Sequence, residues 1–185
     1  MKNNSGIGNG LGVSSPQTIA DAAAFRAAMR HFVGSVSLVT TWHGDRPWGM
    51  TINSFTSVCT EPPMILICLN SRTVTATHVQ EGGRFAVNLL TQDQLHLSEY
   101  CSRPRVDKFI DEYVLLPDAV SDGNAVPRLR EASVVFECRT VEQLVVGSHR
   151  VAIAAIESIH APAAGPPLLY GQGRYMHGVD LEARA

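Results

Sequence analysis

From Ser35 onwards the chain is a succession of strand-length apolar runs cut by turn residues, and this texture most limits what it can fold into. Residues 35–42, 64–69, 84–90, 133–146 and 150–159 read as strands. Between them lie breakers such as His43-Gly44-Asp45-Arg46-Pro47, Glu61-Pro62-Pro63, Gly82-Gly83 and Gly147-Ser148. A doubly wound parallel sheet needs strands and helices in regular alternation, and that alternation is absent. Many antiparallel strands with few helices instead predict a mainly β fold, a closed or nearly closed barrel with a few covering helices.

Three helices are predicted. Residues 20–32 place Phe25, Ala28, Met29 and Phe32 on one apolar face behind a Thr18 cap, a cover for the sheet. A short helix is expected over 73–80. Thr91-Gln92-Asp93-Gln94 has the form of a capping box and opens a helix running to about Tyr100. Residues 101–127 are the least regular part and read as a mobile loop. Pro166-Pro167-Leu168-Leu169-Tyr170 leads into a last strand over 174–179.

At 185 residues the chain reads as one domain, residues 18–180, between flexible tails at 1–17 and 181–185. That length buries a core without disulfides or metals. A net charge of −2 gives no global attraction to nucleic acid or anionic membrane. The four cysteines, Cys59, Cys68, Cys101 and Cys138, form no Cys-x-x-Cys pair and read as free thiols, with Cys68 and Cys138 in apolar runs. The start of the chain has no secretory pattern, and no apolar run is long enough to span a bilayer, so the cytoplasm is the expected compartment.

Against this background Trp48-Gly49-Met50-Thr51-Ile52-Asn53-Ser54-Phe55-Thr56-Ser57-Val58 stands out. Two Thr, two Ser and an Asn occur in a strand flanked by apolar ones. Hydroxyls and an amide on extended backbone need hydrogen-bond partners, and an oxygen-rich ligand supplies them as readily as solvent does. The familiar alternatives are missing. The seven histidines include no His-Glu-x-x-His pair, there is no Gly-x-Ser-x-Gly elbow, and no Gly-Lys-Ser/Thr phosphate loop occurs. Gly171-Gln172-Gly173-Arg174-Tyr175-Met176 begins like a dinucleotide fingerprint but ends in Met, so a dinucleotide would have to bind without the Rossmann turn. Asn70-Ser71-Arg72-Thr73 offers hydroxyls, a cation and helix N-terminal amides, either as a phosphate cradle or simply as a capped helix. Asp107-Lys108-Phe109 sets a cation beside an aromatic ring, and Gly147-Ser148-His149 puts an imidazole at a strand turn.

In this order the motifs resemble the flavin reductase-like family, the short-chain NAD(P)H:flavin oxidoreductases that serve two-component monooxygenases. The matching stretches are Phe32-Val33-Gly34-Ser35-Val36-Ser37-Leu38-Val39-Thr40-Thr41, residues 49–58 with Pro62-Pro63, Ser71-Arg72-Thr73, Phe85-Ala86-Val87-Asn88-Leu89-Leu90, Asp107-Lys108-Phe109, Gly147-Ser148-His149, and Pro167-Leu168-Leu169-Tyr170 with Gly173-Arg174-Tyr175. Together they span about residues 24–180.

The resemblance implies an FMN-binding split β-barrel with Greek-key-like connections, a homodimer with flavin near the subunit interface, and FMN or FAD reduced by NADH or NADPH. Thr51, Asn53, Ser54, Phe55, Ser57 and Val58 would line the flavin ring and ribityl chain. Ser71, Arg72 and Thr73 would hold its phosphate end, with Lys108 and Phe109 contributing from the loop. His149, Tyr170 and Tyr175 would sit on the nicotinamide side, His149 being the catalytic candidate. Where the family usually has Gly-Asp-His this chain has Gly147-Ser148-His149, which removes a carboxylate that could orient the imidazole. Cys59 stands where Ser is common and is expected to be a small buried replacement. The implied activity is supply of reduced flavin to an oxygenase partner, chiefly by diffusion. A flavin-binding carrier without turnover, and a pyridoxamine-phosphate-oxidase-type enzyme on a related barrel, are the rival readings.

Overall fold

The structure, a computed structural model, describes residues 21–115, 125–161 and 164–179; the expected tails at 1–17 and 181–185 and the Thr18 cap lie outside them. The elements are α1 (Ala22–Met29), β1 (Gly34–Ser35), β2 (Ser37–His43), β3 (Arg46–Ile52), β4 (Thr56–Thr60), β5 (Pro63–Asn70), α2 (Val74–His78), β6 (Arg84–Leu89), α3 (Leu95–Ser102), β7 (Val114–Leu115), β8 (Arg128–Leu129), β9 (Val134–Val146), β10 (His149–His160), β11 (Leu168–Gly171) and β12 (Arg174–His177). Seven strands form one antiparallel sheet in the order β3-β2-β6-β9-β10-β5-β4. A smaller sheet, β1-β11-β12, and the pair β7-β8 complete the strands.

Alternation along β2 and β6 shows that both faces of the large sheet are covered. Val39, Phe85 and Val87 pack into one core with Ile65, Ile67 and Leu69. Their chain neighbours Leu38 and Ala86 point the other way, into a second core with Leu97, Cys101, Ile110 and Leu168. Asn88 is the polar exception. It is fully buried, and its amide nitrogen donates to Leu38 O (2.9 Å) and Thr40 Oγ1 (3.1 Å) while its Oδ1 accepts from the Leu129 N–H (2.9 Å). Thr40 Oγ1 donates in turn to Pro127 O. One amide thus joins β6 to both β2 and β8.

The hydroxyl-rich segment is not one strand. β3 and β4 occupy opposite edges of the seven-stranded sheet, joined only by residues 53–55. Four peptide steps reach no further than about 14 Å, so the sheet must curl until its edges approach. Among the described residues no strand pairing closes it: of the expected closed or nearly closed barrel, the structure shows the mainly β, curled antiparallel sheet without a closing pair. Ser54 marks the crossing: its hydroxyl donates to Cys68 O (2.7 Å) and accepts from the Cys68 N–H (3.2 Å), which brings the chain onto β5 before β4 begins.

Three further expectations change. α1 starts at Asp21, whose carboxylate accepts from the Ala23 and Ala24 N–H groups (3.1 Å each), and none of its residues is buried. Phe25, Met29 and Phe32 are 60%, 48% and 57% exposed, so the apolar face does not cover the sheet within this chain. The helix is instead tied by its end to the small sheet, through Gln172 N–H to Arg30 O (2.8 Å).

The described part of 101–127 is anchored by the buried Cys101, Ile110, Val114 and Val126, while residues 102–107 are exposed; residues 116–124 lie outside the description. The cause is the free edge of β3, whose backbone groups need partners. Gly49 N–H bonds Lys108 O and Ile110 N–H bonds Pro47 O (3.0 Å each), so residues 108–110 run along that edge. Arg46 reinforces the attachment, pairing with Asp111 (2.7 Å) and lying 3.9 Å over the Phe109 ring. Lastly, Cys59 is exposed, because every residue of β4 faces solvent at the sheet's edge.

Candidate functional site

A cleft of about 470 Å³ opens where the end of β3, α3 and the β11–β12 hairpin meet. This is within the size range of small-molecule sites. One wall is Thr51, Ile52 and Asn53; the other is Tyr170, Gly173, Arg174 and Tyr175; Glu99 and Ser102 come from α3. The hairpin wall follows from its turn. Gln172 and Gly173 both have positive φ (52° and 75°) between the paired residues Gly171 and Arg174, as a two-residue turn of the I′ kind requires. That is the role of the Gly-x-Gly that resembled a dinucleotide fingerprint. Tyr170 and Tyr175 are cross-strand partners with ring centroids 5.3 Å apart at 71°.

The two walls are bonded through α3. Thr51 Oγ1 donates to Ser98 O (2.7 Å), and the Ser98 and Tyr175 hydroxyls lie 2.9 Å apart. Thr51 has therefore used its only donor and can offer a ligand only acceptor lone pairs. The exposed Asn53 amide offers both donor and acceptor. Glu99 and Arg174 bring opposite charges to the cleft, and Arg174 is held by Gln172 Oε1 (3.1 Å).

Of the residues expected at a site, Thr51, Asn53, Tyr170 and Tyr175 come together here. A second group forms where β5 and β10 pair. His149 stands opposite Asn70, and Ser71 N–H bonds Ser148 O (3.0 Å). Here the capped-helix reading holds in detail. Thr73 Oγ1 accepts from the Ala76 N–H and donates to Asn70 O, while Asn70 Oδ1 and Asn70 O take the N–H groups of Arg72 and Thr73. The N–H groups of Ser71, Arg72, Thr73 and Ala76 are thus already satisfied, and side chains are the other groups this turn can offer an anion. The Ser71 hydroxyl is buried without a hydrogen-bond partner, and among the described residues no carboxylate pairs with the exposed Arg72. His149 is exposed, and its Nδ1 is 3.0 Å from Ser148 Oγ. It does not line the cleft that holds Tyr170 and Tyr175.

The remaining candidates have structural partners. Phe55 stacks on Phe136 (5.8 Å, 17°), and Ser54 makes the crossing described above. Ser57 and Val58 are exposed on β4, at the break in its register with β5. Phe109 belongs to a cluster with Trp48, His43 and Arg46. Near it His78 has its pKa lowered by burial and by His43. Burial also lowers the Lys108 amine, with Cys101 acting the other way. The Cys101 thiol is itself pushed up to about 12 by burial, so it is no nucleophile at neutral pH.

Val36, Ile52, Ser98, Glu99, Ser102 and Arg174 were not anticipated. Glu99 and Ser102 sit three apart on α3, and that i, i+3 spacing on a helix already expected was the available signal. Among the described residues no three metal-ligating side chains cluster, and no helix is long and apolar enough to cross a membrane.

A mainly β chain whose curled antiparallel sheet meets a smaller sheet across a ring-sized cleft is the setting in which the comparisons fall. The family described as "Flavin reductase like domain" matches residues 29–178. The chain is 38% identical over 159 residues to the reductase component of the 4-nitrophenol 4-monooxygenase/4-nitrocatechol 2-monooxygenase of Rhodococcus opacus, spanning 86% of this chain and 82% of that protein. The solved styrene monooxygenase flavin reductase of Pseudomonas putida S12 superposes with a TM-score of 0.74 at 29% identity, over 85% of this chain and 98% of that one. The NADH:FAD oxidoreductase SgcE6 of Streptomyces globisporus C-1027, solved in complex with NAD and FAD fragments, gives 0.76 at 25% identity, over 88% and 96%. The chain belongs to the flavin reductase-like family.

Proposed function

We propose that the chain is an NAD(P)H:flavin oxidoreductase, the reductase component of a two-component monooxygenase, and that it supplies reduced FMN or FAD to a separate oxygenase. The observation that carries this reading is the cleft, in which a tyrosine pair faces Thr51 and Asn53, in a chain of this family. A flavin held there would supply the electronic chemistry, as the acceptor of hydride from a reduced nicotinamide. The protein's part is to hold rings in register and limit water.

Tyr170 and Tyr175 provide aromatic surface for a planar ring, and Asn53 provides hydrogen bonds at its edge. Ser71 and Arg72 fit the phosphate end, since a buried hydroxyl without a partner and an unpaired guanidinium suit an anion. Thr73 acts there as a helix cap, while Lys108 completes the attachment of its segment to β3. Ser54, Phe55, Ser57, Val58 and Phe109 contribute by shaping the sheet and its edges. NADH is favoured as donor by the relative solved with an NAD fragment. His149, without a carboxylate neighbour at 148, is assigned contact rather than acid–base work.

On this reading residues 18–180 form one split-barrel domain and the working unit is a homodimer. The exposed apolar face of Phe25, Met29 and Phe32 supports the pairing, because surface of this kind is a frequent mark of an interface. The four free cysteines fit a reducing compartment, the cytoplasm.

The test crosses FMN and FAD with NADH and NADPH under anaerobic conditions, on protein whose mass is measured in the same buffer. Loss of the yellow flavin absorbance with at least one pair, by a species of twice the chain mass, is expected. Flavin that binds but stays oxidised with every donor would leave the carrier reading instead.

A further inference from the structure

Ser98 does not line the cleft, yet among the described residues it is the one whose polar atoms bond both walls. It lies on α3 with no exposed surface. Its carbonyl accepts from Thr51 on β3 (2.7 Å), and its hydroxyl meets that of Tyr175 on β12 (2.9 Å). Those strands belong to separate sheets, which join at β11, where Val36 N–H bonds Leu168 O and Leu168 N–H bonds Leu90 O (2.9 Å each), while β12 is the outer strand of the small sheet. Movement of β12 about that junction would widen or narrow the cleft at Tyr175, and Ser98, bonded to Tyr175 and to Thr51, sets that width.

We infer that Ser98 is a positioning residue, a clamp that sets the spacing between Tyr175 and Thr51 and so holds the cleft ready for a planar nicotinamide-type ring. The inference deepens the reductase reading and rests on it for the identity of the ring. The Ser98 hydroxyl has one proton, and Tyr175 Oη is its partner in the structure, so the pair satisfies a buried group that would otherwise be orphaned. Tyr175 also holds Tyr170 edge-on. Releasing its hydroxyl frees the ring to rotate and loosens both aromatic surfaces. The carbonyl link to Thr51 is backbone and survives mutation, so side-chain changes at 98 isolate the Tyr175 half of the clamp.

The experiment compares Ser98→Ala, Tyr175→Phe and the double variant. Binding of NAD+, which cannot reduce flavin, is measured by titration on the dimer or monomer as purified, and NADH turnover is measured separately. Each single variant is expected to weaken NAD+ about fivefold, the equivalent of one modest hydrogen bond, and to raise KM for NADH with little change in kcat. The double variant should be no weaker than either single, because both remove the same bond. Ser133→Ala, which deletes a hydroxyl bonded to Leu89 O away from the cleft, should leave NAD+ affinity unchanged. Unchanged NAD+ affinity in Ser98→Ala, or losses that add in the double variant, would overturn the clamp. If NAD+ binds and the variants behave as expected while NADH never reduces flavin, the clamp stands and the reductase reading falls.

Discussion

Asn88→Leu is expected to destabilise the fold by about 3–5 kcal/mol while keeping the number and branching of side-chain heavy atoms, since each buried polar group left unpaired costs about 1–3 kcal/mol. The substitution strands the Leu129 N–H, removes a donor from Leu38 O, and leaves Thr40 Oγ1 with only its bond to Pro127 O. No water can reach these atoms, because Asn88 and Leu38 have no exposed surface and Leu129 almost none. In a chain of this size the melting temperature should fall by roughly 10 °C. Urea unfolding should show a lower midpoint at an unchanged slope, since the same surface is exposed on unfolding. A loss below about 1 kcal/mol would show that the amide does not bridge these strands. Asn88→Asp tests the same bridge differently: the carboxylate can still accept from Leu129 but cannot donate, and it buries a charge.

Gly49→Val is the second large effect. A β-carbon there would stand 3.0 Å from Cys101 Sγ, 3.2 Å from Leu38 Cδ2 and 3.3 Å from Ile110 Cδ1. Two further methyls have no room unless α3 moves away from β3. Overpacking of this kind costs about 1–3 kcal/mol, and three tight contacts place this site at the upper end. The same movement carries Ser98 away from Thr51, so affinity for the ring in the cleft should fall along with stability. Gly49→Ala should show a smaller version of both effects. Adding Cys101→Ala should recover part of the stability, because it removes the nearest obstructing atom. Full additivity in that pair would mean that the strain is relieved elsewhere.

What was legible in the residues was chiefly local. The hairpin of β9 and β10 about Gly147-Ser148, the capping box at Thr91 and Gln94, and the brief helix after Thr73 follow from turn chemistry and capping, which act within a few positions. The division of the polar segment was not legible. Leaving one sheet edge at Ile52 and joining the other at Thr56 depends on where β2 and β5 lie, and Ser54 makes the crossing through Cys68, fourteen residues further on. The same holds for α1, whose periodicity correctly marks an apolar face but not what covers it. Residues 101–115 alternate poorly, and the short run 108–110 within them follows the edge of β3 through backbone bonds that no local pattern announces. At the site, polar composition located Thr51 and Asn53. Ser98 was invisible because its importance lies in two bonds to residues 47 positions earlier and 77 positions later.

The wide separation of the two walls has a consequence for biogenesis. β2 and β3 are neighbours in sequence and can pair as soon as they are made, as can β4 and β5. The hairpin carrying Tyr170 and Tyr175 is synthesised more than a hundred residues after Thr51, and among the described residues the β4–β5 pair joins the rest of the large sheet through β10. A ribosome-bound fragment stopped before β11 would thus carry Thr51 and Asn53 but only half a binding site. If the cleft is the ring site proposed above, binding requires the late hairpin to have emerged and docked, so a ligand added during synthesis would report arrival of the last strands rather than formation of the sheet.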